Sequence, residues 1–282
     1  MVELDDGTTR QCYPRGKKAA AAVGDRVLVA LQGRDEGAIE SIEPRRNLLY
    51  RSDDMRTKQF AANVDRLLIV VAVQPAFSDD LAGRALAGAR SAGIDPVLVL
   101  NKADLAEGRD EARARLAPLV ALDVPLVEVS ALDAAATRRR LAPLLEGRVS
   151  LLLGQSGMGK STLLNALVPN AGAATRAHSV ALGAGRHTTT STRLYHLPGM
   201  AGDLIDSPGF QAFGLQHLSR RELEQGFPEF AEPATHCRFY NCTHRHEPGC
   251  GVLQALRDGR IAAARHALYC RILAENEASQ RY

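Results

Sequence analysis

The stretch Gly154-Gln155-Ser156-Gly157-Met158-Gly159-Lys160-Ser161-Thr162 carries the most specific chemistry in this sequence. Glycines at 154 and 159, then a lysine and a hydroxyl residue, make a loop whose backbone N–H groups can turn inward around a phosphate. An apolar run, 148–154, leads into it and a helical run, 160–169, follows, so a helix N-terminus adds its dipole. In such a loop Lys160 is expected to bridge β- and γ-phosphates and Ser161 to ligate Mg²⁺. Residues 203–209, "DLIDSPG", supply a second piece. Asp206 ends an apolar strand, where a carboxylate can face Mg²⁺ directly or through water, and Gly209 lets its N–H approach the γ-phosphate. Alone, Asp-Ser-Pro-Gly is also a good turn sequence. Downstream of a phosphate loop it reads as the Mg²⁺ loop.

Asn101-Lys102-Ala103-Asp104 closes a third apolar run, "PVLVL" at 96–100. A carboxylate held beside a bound base accepts from guanine N1–H and N2–H₂. Adenine offers neither there, so Asp104 selects GTP over ATP. Asn101 is expected to tie this loop to the phosphate loop, and the Lys102 stem to cover the base. The bland alternative is a surface loop with Asp104 capping the next helix. "VSALD" at 129–133 follows another strand, where Ser130 and Ala131 can offer a backbone N–H to guanine O6. The pieces run in the order base loop, second base loop, phosphate loop, irregular segment, Mg²⁺ loop. An ordinary GTPase has the phosphate loop first, so this is a circular permutation.

Three of the five cysteines, Cys237, Cys242 and Cys250, crowd together with histidines between them. Three thiolates and one imidazole make a complete tetrahedral set for structural zinc, with His236, His244 and His246 all available as the fourth ligand. Cys12 and Cys270 have no such company and read as packing residues. An odd cysteine count argues against a disulfide framework.

Composition and rhythm say what positions these groups. The chain has 282 residues, 45% hydrophobic and 24% charged, with net charge +3, an ordinary globular profile that only leans basic. No apolar run approaches a membrane span, and residues 1–15 show no signal peptide, so a soluble cytoplasmic protein is expected. From about residue 63, apolar strands (64–73, 96–100, 125–130, 148–154) alternate with helical runs (79–93, 109–122, 136–147, 160–169). That alternation predicts an α/β domain with a parallel sheet covered on both faces. "STRLYHL" and "GDLIDSPG" read as two more strands, and a final helix is expected from about 259 to 278. Residues 1–57 read instead as short hairpins, 25–31 with 38–42 and an earlier pair. Arg10, Arg15, Lys17, Lys18, Arg45, Arg46, Arg51, Arg56 and Lys58 stud this part and suggest a small basic β-barrel that contacts nucleic acid.

The permuted order, the run "GRHTTT" at 185–190 and the cysteine cluster together resemble the ribosome small-subunit-dependent GTPase A family, also called RsgA or YjeQ. The resemblance covers nearly the whole chain. It implies an N-terminal OB-fold-like β-barrel (1–57), a circularly permuted P-loop GTPase domain (58–215) and a C-terminal zinc-binding helical domain (216–282). The family's barrel begins a strand earlier than "MVELDDG", which leaves two readings: a start placed late, or a barrel that lacks its first strand and is open at one edge. The resemblance also ranks His244 as the zinc ligand beside Cys237, Cys242 and Cys250. It places the first switch at "GRHTTT", where Thr189 is the favoured Mg²⁺ ligand, with Thr188 and Thr190 as alternatives. Phe210 stands where GTPases often carry a water-orienting Gln, which makes His187 the candidate for that role; packing or RNA contact is its alternative. The implied partners are GTP or GDP, the small ribosomal subunit and its rRNA, and the implied state is a monomer.

Under this reading the GTP-binding set is Asn101, Lys102, Asp104, Ser130, Ala131, residues 154–162, Asp206 and Gly209. Catalysis falls to Lys160, Thr189 and His187, Mg²⁺ to Ser161, Thr189 and Asp206, and a single structural zinc to the Cys₃His set. γ-Phosphate would order 185–210 and so set how the flanking modules sit. A P-loop kinase is disfavoured by Asp104. A non-hydrolysing, GTP-gated RNA-binding module is the harder rival, because Phe210 cannot orient water.

Overall fold

The computed structural model describes residues 1–15, 21–33, 35–53, 56–169, 171, 192–207 and 215–279. The alternation from residue 63 onward becomes a six-stranded sheet of β7 (Arg66–Ala72), β8 (Asp95–Asn101), β9 (Leu126–Glu128), β10 (Val149–Leu153), β11 (Arg193–His196) and β12 (Asp203–Asp206). The strands lie in the order β11-β12-β10-β7-β8-β9. All neighbours pair in parallel except β11, which runs antiparallel to β12. β7 is one of the two central strands, and its residues from Leu67 to Ala72 are all buried. A strand covered on both faces needs a continuous apolar run rather than alternation, which is how "LLIVVA" reads. The helices between the strands are α1 (Asp79–Ser91), α2 (Arg109–Val120), α3 (Ala134–Leu145) and α4 (Lys160–Leu167).

Parallel strands end on one edge, and in open α/β sheets ligands bind outside the carboxyl ends. Here β8 ends at Asn101, β10 runs into Gly154 and β12 ends at Asp206. Ala72 of β7 pairs with Asn101, whereas Leu152 of β10 pairs with Leu68 of β7 and with Asp206, so β12 stops four register positions short of β8 on that shared edge.

The N-terminal strands β1 (Val2–Glu3), β2 (Thr9–Pro14), β3 (Val27–Gln32) and β4 (Glu36–Ile42) form a half-barrel sheet in the order β1-β2-β4-β3. A further hairpin, β5 (Leu48–Asp53) with β6 (Arg56–Ala62), was not evident from the pattern. The register shifts between Leu49 and Tyr50, and such an irregularity interrupts the alternation that would have announced it. A bridge between Val23 and Ala61 joins the hairpin to the preceding segment. At the other edge, Glu3 of β1 reaches β11: His196 Nε2 lies 2.8 Å from its carboxylate, and His196 Nδ1 lies 2.6 Å from Asp203. These two carboxylates raise the His196 imidazole above its usual value.

The C-terminal part is helical. Helix Arg220–Gln225 opens with a full capping box between Ser219 and Glu222. A 3₁₀ turn (Pro228–Phe230), helix Ala231–Ala234, helix Gly251–Arg257 and a long helix, Ala263–Ser279, follow. The long helix starts at Ala263 rather than near Gly259, because Gly259 at φ 73° belongs to the preceding turn. Tyr269 meets Phe227 and Phe230 edge-on, the two phenylalanines lie tilted against each other, and the three rings, with centroids 5.0 to 5.4 Å apart, form this module's small aromatic core. The module docks on α1. Arg84 pairs with Glu275 at 2.6 Å and Arg271 with Asp80 at 2.6 Å. Gly83 leaves room for Leu268, since a Cβ there would lie 2.5 Å from its methyl group.

Candidate functional site

The two base loops and the phosphate loop are joined by one side chain. Asn101 Nδ2 donates to Met158 O at 2.9 Å, and Asn101 Oδ1 accepts from Ala131 N–H at 3.0 Å. Asn101 therefore ties three loops separated by up to 57 positions in sequence. It is 1% exposed. Replacing it by alanine leaves Met158 O and Ala131 N–H buried without partners, at about 1–3 kcal/mol per orphaned group. Asn101→Ala is expected to lose roughly 2–4 kcal/mol of stability. Thermal or denaturant melting reads this, and a wild-type midpoint would refute the role.

Lys102, expected from the sequence to cover a base, has a further role. Its ammonium donates to Gln74 O at 2.7 Å and Gly157 O at 2.9 Å, so it pins the phosphate loop to the turn after β7. Asp104 is exposed at the sheet edge. It lines one cavity together with Ser130, with Thr137 and Arg140 of α3 beside them. Ala103 N–H donates to Val129 O at 3.0 Å, which holds the first base loop against the second.

The glycine positions follow from close approach. At Gly154 a Cβ would sit 2.3 Å from Val70 O, and at Gly159, with φ at +85°, 2.3 Å from Asn101 Nδ2. No side chain fits at either position without breaking the loop contacts just described. Gly159 caps α4 without offering a side-chain acceptor, so the first-turn N–H groups of α4 remain available to a phosphate. Ser156 and Gly157 are exposed on the loop, and Ser161 and Thr162 on the first turn of α4. The Gln155 side chain turns away and accepts from Ser78 N–H, at the start of α1, at 2.6 Å.

Lys160 donates to Gly154 O at 2.5 Å and Gln155 O at 2.8 Å. Burial lowers its pKa, opposed by the charge of Asp206. Burial likewise pushes the Asp206 carboxyl up to about 6, opposed by Lys160. Both shifts have one cause, charge held in a dry place with a single distant counter-charge. A phosphate against Lys160 and a divalent cation near Asp206 are the groups that would relieve it. His187, Thr188, Thr189, Thr190, Gly209 and Phe210 lie outside the described residues.

The second cluster is Cys237, Cys242, His244 and Cys250, whose ligand atoms all lie within 4.8 Å of one another. His244 Nδ1 is 3.6 Å from Cys237 Sγ and 3.5 Å from Cys250 Sγ, and those two sulfurs are 3.8 Å apart. A zinc tetrahedron with bonds of about 2.3 Å to sulfur and 2.0–2.1 Å to nitrogen has edges of about 3.5–3.8 Å. The cluster fits one structural zinc ion. Burial pushes the Cys242 thiol up to about 12, raises Cys250 and lowers His244, and a bound zinc ion would counter the two thiol shifts by deprotonating the thiols it coordinates. His236 is exposed, with Nδ1 at 3.3 Å from Glu232, and His246 is exposed too, so neither joins the cluster.

The model of the RsgA GTPase family matches residues 42–216. The chain belongs to that family. A protein of Bordetella pertussis named small ribosomal subunit biogenesis GTPase RsgA is 70% identical over all of this chain and 94% of its own length. The protein of the same name from Burkholderia pseudomallei is 57% identical over 99% of this chain and 88% of its own. Among solved structures, YjeQ from Thermotoga maritima superposes with TM-score 0.72 at 30% identity, covering 96% of this chain and 91% of its own. YloQ, described as a circularly permuted GTPase, gives 0.71 at 28% identity, over 98% and 89%. The protein is thus a circularly permuted P-loop GTPase, working on GTP with Mg²⁺, with an N-terminal half-barrel and a C-terminal module built for zinc.

Some features of this RsgA-family site carry no local sequence signal. The grip of Lys102 on Gln74 O and the packing of Pro75 against Gly157 depend on where β7 ends relative to β10. Glu224, whose Oε1 lies 3.8 Å from His244 Nε2, comes from a helix upstream of the whole cysteine cluster. Such an outer partner orients a ligating imidazole.

Proposed function

We propose that the protein binds the small ribosomal subunit, acts late in its maturation, and hydrolyses GTP faster when bound to it. The observation that carries the reading is the meeting of base and phosphate loops through Asn101, in a chain whose near full-length relatives are named for small-subunit biogenesis. On this reading Asp104 reads the guanine edge, Ser130 and Ala131 offer an N–H to O6, and Lys102 flanks the base. Residues 154–162 cradle the phosphates, with Lys160 neutralising charge that develops on them. Ser161, Asp206 and Thr189 hold Mg²⁺, Gly209 meets the γ-phosphate, and His187 orients the attacking water. The chain divides at about 57 and 215 into barrel, GTPase and zinc modules, and works as a cytoplasmic monomer. The outer modules bind rRNA. Among the described residues no helix is long and apolar enough to cross a membrane.

Co-sedimentation with purified small subunits tests this, comparing GDP with a non-hydrolysable GTP analogue. Tighter association with the analogue, and turnover that rises on adding subunits, are the expected results. Binding without any stimulation would favour a GTP-gated binding module, and no binding would remove the subunit as partner.

A further inference from the structure

The loop between the first two cysteines of the cluster turns four consecutive side chains outward: Arg238, Phe239, Tyr240 and Asn241 are all exposed. Tyr240 is 105% exposed and Phe239 40%. The backbone beneath them is braced. Both ends of the loop carry ligand-set cysteines, Cys242 N–H donates to Phe239 O at 3.2 Å, and Arg238 N–H donates to Gly249 O at 3.0 Å. Arg220 adds a hydrogen bond to Asn241 O at 2.9 Å. Two aromatic side chains are thus presented to solvent on a fixed frame.

The charge around them is one-sided. The Arg238 guanidinium lies 5.5 Å from the Phe239 ring centroid, and among the described residues no carboxylate pairs with it. Glu247 is the acid within 236–250, and its carboxylate is used internally. It accepts from the Thr243 N–H and hydroxyl and from the N–H groups of Arg245 and His246, at 2.5 to 3.2 Å. The nearby Glu232 pairs with Arg260 at 3.1 Å and with His236 at 3.3 Å.

We propose that Arg238, Phe239 and Tyr240 form a stacking platform for an unpaired RNA base, with the Arg238 guanidinium meeting the neighbouring phosphate. Splayed bases in RNA loops and bulges present a π-face and a phosphate within one nucleotide, and proteins take them on aromatic side chains and guanidinium planes. An apolar protein surface would cover the rings but leave the cation unmatched. A duplex would offer phosphate but no free base face. This deepens the proposed function, on which it rests for the identity of the RNA.

The test uses the full-length zinc-loaded protein and a hairpin RNA carrying 2-aminopurine in its loop. Wild type and Tyr240→Phe are expected to quench the probe, and Tyr240→Ala to bind on the order of tenfold more weakly. Zinc content and the GTP turnover of the free protein should stay at wild-type values in Tyr240→Ala. Arg238→Gln should lower the salt slope of binding by about 0.7. Wild-type affinity and quenching in a Phe239→Ala, Tyr240→Ala double variant overturn the platform. So do photocrosslinks from this loop on small subunits that end only on ribosomal protein. If hairpin binding depends on Tyr240 while wild type ignores small subunits, the platform stands and the subunit reading falls. If wild type sediments with subunits and the hairpin is indifferent to Tyr240, only the platform falls.

Discussion

A Cys242→Ser protein is expected to lose its zinc and, with it, the packed order of the C-terminal helices. The three ligand-atom separations already match the edges of a zinc tetrahedron, and Cys242 is 5% exposed. A serine there offers a neutral hydroxyl in a dry site, which neither completes the tetrahedron nor balances the cation. Structural zinc contributes an apparent ~10–16 kcal/mol in small zinc-folded peptides, as much as the ~5–15 kcal/mol that holds a whole domain together. Helices as short as Arg220–Gln225 and Ala231–Ala234 cannot persist without tertiary support. Metal analysis should fall from one zinc per chain to none, and calorimetry should show an early transition separated from the main one. Limited proteolysis should then cut within residues 220–279. α1 would lose the partners of Gly83, Arg84 and Asp80, so the main transition should fall as well. His236→Ala should keep its zinc, since His236 faces Glu232. A single transition at the wild-type temperature in Cys242→Ser would show that the cluster is dispensable for folding.

The parallel core was legible because its physics is local. A strand buried on both faces must be apolar throughout, and "LLIVVA", "PVLVL" and "RVSLLLG" say so without reference to neighbours. The phosphate loop was legible from its glycine, lysine and serine spacing between an apolar run and a helical one, although the clashes its glycines avoid, with Val70 O and Asn101, come from distant strands. The β5–β6 hairpin was not, because a register shift hides its alternation among charged residues. Choosing His244 over His236 and His246 needed the family resemblance. Its reason is conformational: His244 sits at φ 59°, a turn that aims Nδ1 at the sulfurs, and three neighbouring histidines look alike in sequence.

The phosphate loop also touches a helix that precedes it in the chain. α1 follows β7 and starts beside the phosphate loop, where Gln155 accepts from Ser78 N–H. The other end of α1 carries no such contact, but its body holds the zinc module through Arg84 and Asp80. The C-terminal module is therefore joined to the nucleotide site in two ways. The chain passes covalently from Asp206 toward Leu215, and α1 bridges from Ser78, beside Gln155, to the Arg84–Glu275 pair. Under the proposed function, two points of attachment would couple the module to changes at the site.

Asp104→Asn is expected to change the nucleotide itself. On the proposed reading the carboxylate accepts from guanine N1–H and N2–H₂, two charge-assisted hydrogen bonds at about 1.5–3 kcal/mol each. An amide in its place turns an NH₂ group toward donors, so GTP affinity should fall roughly 10²–10⁴-fold. Xanthine carries a carbonyl where guanine carries N2–H₂, and the same amide can donate to it, so XTP should bind as GTP loses its hold. The rest of the site predicts that nothing else moves. Asn101 holds the loop from the buried side through Met158 and Ala131, and Lys102 holds it through Gln74 and Gly157, without use of Asp104. The melting temperature should therefore stay near wild type, in contrast with Asn101→Ala. Titrations with GTP, XTP and ATP separate the outcomes. Unchanged GTP affinity would reduce Asp104 to a surface cap. Loss of all three nucleotides would mean that the base loop positions the phosphate loop rather than reading the base. XTP binding with turnover that small subunits still stimulate would place base recognition and hydrolysis on separate residues of one site.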